Sequence, residues 1–138
     1  MILGIGTDLT SIDRVAAVLE QHDTRFIERC FGAEERDKVE KSAKGDARLR
    51  AAGYAKRWAA KEACAKALGQ GISGEVYLKD IVVVTGAAGA PSLVLTGGAK
   101  DRLTALTPQG MTARIHVSLT DDMPMALAFV IISAGPEK

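Results

Sequence analysis

Cysteine and aromatic residues are scarce in this 138-residue sequence. The two cysteines, Cys30 and Cys64, share no motif, so neither a zinc site nor a disulfide framework is indicated. Aromatic residues make up only 4% of the chain, and the formal net charge is +1. Base-stacking platforms and a broad basic surface are therefore not indicated, and we expect no nucleic-acid partner.

Long apolar runs and a secretory signal are also missing. No stretch approaches the roughly 20 apolar residues that span a bilayer, and the first residues lack the basic region and cleavage site of a signal peptide. We therefore expect a cytoplasmic protein with no membrane partner. Its composition, 47% hydrophobic and 25% charged residues, is ordinary for a globular protein, and we expect a single domain over residues 1–138.

The apolar pattern predicts an α+β fold, with an N-terminal strand and helices followed by an antiparallel sheet. A long central helix, starting at residue 47, is expected to pack on that sheet. Helices are also predicted after the first strand (broken at 22–24), over 33–41 as an exposed charged helix, and over 97–106. Strands are predicted over 1–9, 80–85, 92–95, 112–119 and 125–133, with a turn at 121–122 and a frayed tail from 134.

The second half of the long helix, 57–71, is where the sequence first suggests chemistry. One predicted face carries the small residues Ala59, Ala60, Ala63, Cys64 and Ala67, which would allow close packing on a sheet. The opposite predicted face carries Arg57, Trp58, Lys61, Glu62 and Lys66. Such a face is either solvated or a phosphate site with room for a metal. Gly69 and Gly71 predict a helix end followed by a loop that can approach a ligand closely.

Asp8 and Glu62 are the two acids in the least favourable settings for a charge. Asp8 ends an apolar strand, where a carboxylate is costly to bury unless it is paired or binds a cation. The two could hold Mg²⁺, which takes carboxylate, phosphate and water oxygens, while Arg57, Lys61 and Lys66 bind phosphate. Alternatively, Asp8 caps the following helix and Glu62 pairs with Lys66 four residues later. The spacing leaves both interpretations open.

Two motifs resemble the signatures of the 4′-phosphopantetheinyl transferase superfamily, particularly its small bacterial members. The first is Ile-Gly-Thr-Asp-Leu at 5–9, followed by Ile12 and Arg14, and the second is Trp-Ala-Ala-Lys-Glu-Ala at 58–63, followed by Lys66 and the Gly-Gln-Gly at 69–71. The Gly-Ala-Pro turn at 89–91 and the His-Val-Ser at 116–118 are similar to two further family motifs. Ala90 stands where relatives carry lysine, and Asp121 where some carry histidine.

The resemblance implies a reaction. The 4′-phosphopantetheine arm of coenzyme A would pass to a serine of an apo acyl carrier protein, releasing adenosine 3′,5′-bisphosphate and supporting fatty acid biosynthesis. Asp8 and Glu62 would hold Mg²⁺ against the pyrophosphate, with Lys66 completing the catalytic set, and the serine base is either Glu62 or a metal-bound water. The contacts to coenzyme A that the resemblance implies are Arg57, Lys61, Lys66, Gly69, Gly71, Pro91 and His116.

The resemblance also implies macromolecular partners. The acidic carrier protein would dock against Arg14, Arg25 and Arg29, with Ile12 and Phe26 adding apolar contact. The alternative is that these arginines pair with acids of their own helix. Small family members are homotrimers with active sites between protomers, and the apolar strand 126–132 is the predicted central contact.

Two functions other than transfer stay open. One is a non-catalytic module that binds coenzyme A or a nucleotide on the same fold. The other is a Mg²⁺-dependent phosphohydrolase that uses the same two carboxylates, although no water-activating His–Asp arrangement is visible in the sequence. The presence of Asp8, Glu62 and Lys66 together favours the transferase, because binding alone would not require a metal pair.

Overall fold

The computed structural model describes residues 1–69, 71 and 76–137, and it shows the predicted α+β class. The strands are β1 (Ile2–Ser11), β2 (Ile81–Thr85), β3 (Pro91–Leu95), β4 (Met111–Asp122) and β5 (Met125–Pro136). The helices are α1 (Ile12–Cys30), α2 (Ala33–Ala43), α3 (Ala47–Ala67) and α4 (Gly97–Leu106), and a short 3-10 helix, Leu78–Asp80, leads into β2. None of the helices in the described ranges has the length and apolarity of a membrane span.

The strands form two antiparallel sheets. β5 lies between β1 and β4 in a three-stranded sheet, while β2 and β3 pair as a separate hairpin. The turn between β4 and β5 lies at 123–124, two residues later than predicted. The prediction of a frayed tail from residue 134 is also wrong, because β5 continues to Pro136. Its Ala134 N–H donates to the Met1 carbonyl at 2.8 Å.

Helix α3 is the central element of the fold. It packs on the three-stranded sheet on one side and contacts α1, α2 and β2 on the others. Gly4 and Gly6 of β1 allow the closest approach, since a Cβ at either position would lie 1.9 Å from a carbonyl oxygen of α3. The predicted small-residue face is confirmed, because Ala63 and Ala67 meet β1 at these glycines and Ala59, Ala60 and Cys64 are also buried. The predicted charged face is wrong in part, because α3 is surrounded on more than one side and Lys61 is buried.

The other two N-terminal helices differ in part from expectation. Ser11 caps α1, its hydroxyl accepting the Arg14 N–H at 3.2 Å, so Asp8 is not the cap. The predicted break in α1 is confirmed at His22, whose backbone angles are non-helical, and the helix then resumes. Helix α2 is not simply exposed, because Glu35 and Val39 are buried against the rest of the fold.

Candidate active site

The alternation of β1 brings Asp8 to helix α3. Gly6 and Asp8 are two residues apart and so lie on the same face of the sheet, the face that α3 covers. Because Gly6 admits the helix backbone, Asp8 reaches the side chain of Lys66 on α3. Lys66 Nζ lies 3.4 Å from Asp8 Oδ1 and donates to the Thr7 carbonyl at 3.0 Å. The amine is thus held beside the carboxylate without being buried, since 53% of the Lys66 side chain is exposed.

Glu62 lies one turn before Lys66 and interacts with the same carboxylate. Burial raises the pKa of Glu62, the charge of Asp8 raises it further, and Lys66 opposes both effects. Asp8 and Glu62 also line one cleft, and a pair of carboxylates is a suitable set of oxygen ligands for a hard divalent cation such as Mg²⁺. In the part of the chain that the structure describes, no group of three or more His, Cys, Asp or Glu is placed to hold a metal. Mg²⁺ bound through one or two carboxylates usually completes its coordination with waters and substrate phosphate oxygens.

A cleft of about 340 Å³ opens beside these carboxylates. Its lining includes the carboxylates of Asp8 and Glu62 and the rings of Phe26 and Trp58, whose centroids are 5.7 Å apart. The complete lining is Asp8, Leu9, Thr10, Ser11, Arg14, Val15, Val18, Phe26, Trp58 and Glu62. The cleft therefore offers both carboxylate oxygens and apolar surface to a ligand.

The predicted docking residues border this cleft or the groove beside it. Arg14 and Phe26 line the cleft itself, and Arg25 and Arg29 line an adjoining groove along α1 that also includes Phe26. The apolar contact predicted for Ile12 is wrong, because this side chain is 1% exposed and belongs to the core.

Lys61 does not lie at the site, and its prediction as a phosphate contact is wrong. Its side chain is fully buried, with Nζ 2.8 Å from Glu35 Oε1. It also donates to the carbonyls of Leu78, at 3.1 Å, and Ile81. Burial lowers the pKa of Lys61, and Glu35 opposes this change. All three N–H groups have partners inside the fold, so the amine is unavailable to a ligand.

Arg57 contacts the preceding turn of its own helix. It is half-buried, Nη1 donates to the Gly53 carbonyl at 3.3 Å, and burial lowers its pKa while Glu35 on α2 opposes this. Arg57 does not line the cleft that contains Glu62. The contact of Arg57 with coenzyme A stays a prediction, because Arg57 and Asp8 do not line the same cleft in a single chain.

Comparison with known proteins shows the family of this chain. A sequence profile of the 4′-phosphopantetheinyl transferase superfamily matches residues 4–128. The chain belongs to this superfamily.

Two relatives match this superfamily member over nearly its full length, and both are named holo-[acyl-carrier-protein] synthase. The protein of Rhodopseudomonas palustris (strain ATCC BAA-98 / CGA009) is 58% identical over 99% of this chain and 92% of its own. That of Bradyrhizobium diazoefficiens is 57% identical over 99% of this chain and 97% of its own. Among solved structures, the Neisseria meningitidis synthase is 34% identical, with a TM-score of 0.77 over 96% of this chain and 99% of its own. The Helicobacter pylori synthase, in complex with coenzyme A, is 27% identical, with a TM-score of 0.75 over 94% and 99%.

The remaining residues carried over from the superfamily motifs lie elsewhere in the single chain. Gly69 and Gly71 have left-handed backbones (φ of 85° and 64°), while Gln70 lies outside the described residues. Pro91 begins β3 in the second sheet. His116 lies on the exposed face of β4 with Nε2 3.0 Å from Ser133 Oγ, whereas Asp8 lies on the face that α3 covers. The structure therefore does not bring Pro91 and His116 to the carboxylate pair.

Asp121 and Ala90, the two departures from the superfamily pattern, differ in their contacts. Asp121 forms an ion pair with Lys56 on α3, its Oδ1 lying 3.1 Å from Nζ. This pair connects the end of β4 to the central helix. Ala90 is exposed in the turn between β2 and β3.

Sequence reasoning missed the buried partner of Lys61. Glu35 Oε1 also accepts the Gly32 N–H at 3.0 Å, and Oε2 accepts the Val83 N–H at 3.1 Å. The signal was the spacing of Glu35, Val39 and Ala43, which lie on one helix face and are all buried. That spacing indicates an inward face on α2 in spite of its many charges.

Proposed function

We propose that this protein transfers the 4′-phosphopantetheine arm of coenzyme A to a serine of an apo acyl carrier protein, releasing adenosine 3′,5′-bisphosphate, with Mg²⁺ as its cofactor. The observation that carries the proposal is an open cleft lined by Asp8 and Glu62, with Lys66 beside the Asp8 carboxylate. Relatives 57–58% identical over nearly the whole chain are named holo-[acyl-carrier-protein] synthase. A role in fatty acid biosynthesis and a cytoplasmic location stay predictions.

Asp8 and Glu62 are the residues that would hold the metal. Bound there, Mg²⁺ would neutralise the negative charge that builds up on the pyrophosphate as the bond to phosphorus breaks. Lys66 is exposed and already lies beside Asp8, so its ammonium can turn to a phosphate oxygen without leaving the site. The two carboxylates would thus bind the metal, and the Lys66 amine would bind phosphate.

The cleft and its adjoining groove would receive the carrier protein. Arg14 at the cleft and Arg25 and Arg29 in the groove offer positive charge to an acidic partner, and all three are exposed. Arg25 and Arg29 are four residues apart after the break at His22, so they share one face of α1. A serine that enters between α1 and α3 would approach Asp8 and Glu62, beside which the phosphorus would be held.

We also propose that the catalytic unit is a homotrimer. The face of the three-stranded sheet that α3 does not cover exposes the large apolar side chains Ile5, Leu9, Leu127 and Phe129. Exposed apolar surface of this kind is typical of protein interfaces. The strand 126–132 is the predicted central contact of the trimer. Every second residue from Ala126 to Ile132 is buried inside the protomer, so only the residues between them can contact a neighbouring protomer. His116 lies on this outward face, so it could contribute to a coenzyme A site only in a neighbouring protomer.

The test is incubation of the protein with apo acyl carrier protein, coenzyme A and Mg²⁺, followed by mass spectrometry of both substrates. We expect the carrier protein to gain the mass of one phosphopantetheine group. Cleavage of coenzyme A without a change in the carrier would identify a phosphohydrolase. Intact coenzyme A that nevertheless changes the fluorescence of Trp58, the only tryptophan, would identify a binding module. Either of these last two results would overturn the proposal.

A further inference from the structure

A second polar side chain lies on the inward face of β1, two residues after Asp8. Thr10 is only 8% exposed, and its Oγ1 donates a hydrogen bond to Asp8 Oδ2 at 2.5 Å. Across the sheet it lies opposite Ala126 of β5, and Asp8 lies opposite Ala128. Among the described residues, Asp8 is the only hydrogen-bond partner of this hydroxyl. The threonine is thus buried with its polar group aimed at a proposed metal ligand.

The two oxygens of Asp8 have unlike surroundings. Thr10 holds Oδ2 at a distance within the normal range for an O–H···O bond. Oδ1 has Lys66 Nζ at 3.4 Å, which is beyond the usual N–H···O range. The Thr10 contact therefore fixes the rotation of the carboxylate, while Oδ1, with only this long contact to Lys66 among the described residues, keeps a lone pair for a further ligand.

The backbone makes this contact rigid. Thr10 is β-branched and lies within a strand, where its χ1 angle has little freedom. Ser11, the next residue, caps α1, so the backbone is held in place immediately after Thr10. A serine at the same position could donate the same bond but would rotate more freely.

We propose that Thr10 is a positioning residue for Asp8, whose hydroxyl holds Oδ2 so that Oδ1 is presented to the divalent cation. The proposal rests on the proposed metal site but not on the transfer reaction, because metal binding can be measured without coenzyme A or carrier protein. Groups that hydrogen-bond to metal ligands typically change metal affinity by about 10- to 100-fold when they are removed. The competing explanation is that the bond only satisfies a buried hydroxyl, in which case its loss changes stability and leaves metal affinity unaltered.

The experiment measures Mn²⁺ binding by electron paramagnetic resonance for the wild-type protein and for Thr10→Val, which keeps the side-chain shape and removes the hydroxyl. Thr10→Ser keeps the hydroxyl, and Thr112→Val, at an exposed position on β4, is the matched control. We expect Thr10→Val to bind Mn²⁺ at least about 10-fold more weakly, Thr10→Ser to stay within about 3-fold, and Thr112→Val to match the wild type. In the transfer assay, Thr10→Val should need correspondingly more Mg²⁺ than the wild-type protein.

Each other outcome has a defined meaning. Wild-type Mn²⁺ affinity in folded Thr10→Val would overturn the positioning role and leave the metal site standing. A wild-type protein that binds no Mn²⁺ would overturn the metal site and this inference together, whatever the transfer assay shows. If Thr10→Val does not fold, Thr10→Ala removes the same hydroxyl with a smaller side chain, and it decides between the same results.

Discussion

Gly6 and Ala63 approach so closely that a Cβ at Gly6 would lie 1.9 Å from the Ala63 carbonyl oxygen. Both sides of this contact are backbone, so neither can move aside as a flexible side chain would. The packing matters for the site, because it sets the distance between β1, which carries Asp8, and α3, which carries Glu62. A change at Gly6 should therefore disturb stability and the carboxylate pair together.

We expect Gly6→Ala to destabilise the protein by about 3 kcal/mol or more, since overpacking in a close contact typically costs 1–3 kcal/mol and here no relief is available. Urea unfolding measures this loss, and the phosphopantetheine transfer rate should fall with it. Gly135→Ala is the matched control, because a Cβ there meets nothing within 4 Å. Equal stability of the two variants would show that α3 is not held against Gly6.

The buried pair of Lys61 and Glu35 leads to a second prediction. Lys61→Met should cost about 3–5 kcal/mol, because it leaves the Glu35 carboxylate buried without its cation. Lys56→Met removes the partner of Asp121 in a partly exposed pair and should cost about 1 kcal/mol or less. Urea unfolding of both variants gives the comparison, and a loss for Lys61→Met as small as that for Lys56→Met would contradict the assignment of Lys61 to the core.

Glu62 should reduce stability at neutral pH when no metal is present. Its pKa is raised in the folded protein, so the folded state binds this proton more tightly than the unfolded state does. That contribution is present at low pH and is lost as pH rises from about 4.5 through the raised folded pKa. We therefore expect Glu62→Gln in EDTA to raise Tm by about 2 °C at pH 7, with the gain shrinking at pH 4. A Tm below the wild-type value at pH 7 would contradict this sign.

The arginines of the groove should control carrier affinity. Arg25→Glu and Arg29→Glu should each raise the KM for an acidic carrier protein about 10-fold at low salt, with less difference at high salt because exposed charges are screened. The KM for coenzyme A should stay unchanged. Lys100→Glu, an equal change of charge at an exposed position on α4, is the control. An equal effect from Lys100→Glu would mean that only net charge matters and that the groove is not the docking surface.

Local patterns in the sequence were enough to place some of the site. The period-2 alternation of a strand puts Gly6 and Asp8 on one face, and the i,i+4 spacing of a helix puts Glu62 and Lys66 on one face. These relationships depend on neighbours in the chain, and the structure shows both. The order of the helices and strands was predictable for the same reason.

The burial of the Lys61 side chain could not be predicted from local patterns. Dividing a helix into one packed face and one exposed face assumes a single packed side, whereas α3 is in contact with a sheet, two helices and a hairpin strand. The partner that makes burial of Lys61 tolerable is Glu35, 26 residues earlier in the chain and on another helix. The position of His116 is a similar case, because the face on which it lies depends on how β4 packs against the core.

The central claim is that Asp8 and Glu62 form one metal-dependent site for phosphopantetheine transfer. The most direct measurement is the intact mass of apo acyl carrier protein after incubation with coenzyme A and either wild-type protein, Asp8→Asn or Glu62→Gln, with Mg²⁺ or with EDTA. We predict the phosphopantetheine mass gain with wild-type protein and Mg²⁺. With EDTA, and with either folded variant, we predict a rate lower by about 100-fold or more, because the metal is expected to supply several kcal/mol. Near wild-type conversion by either variant, or by the wild-type protein in EDTA, would contradict the claim.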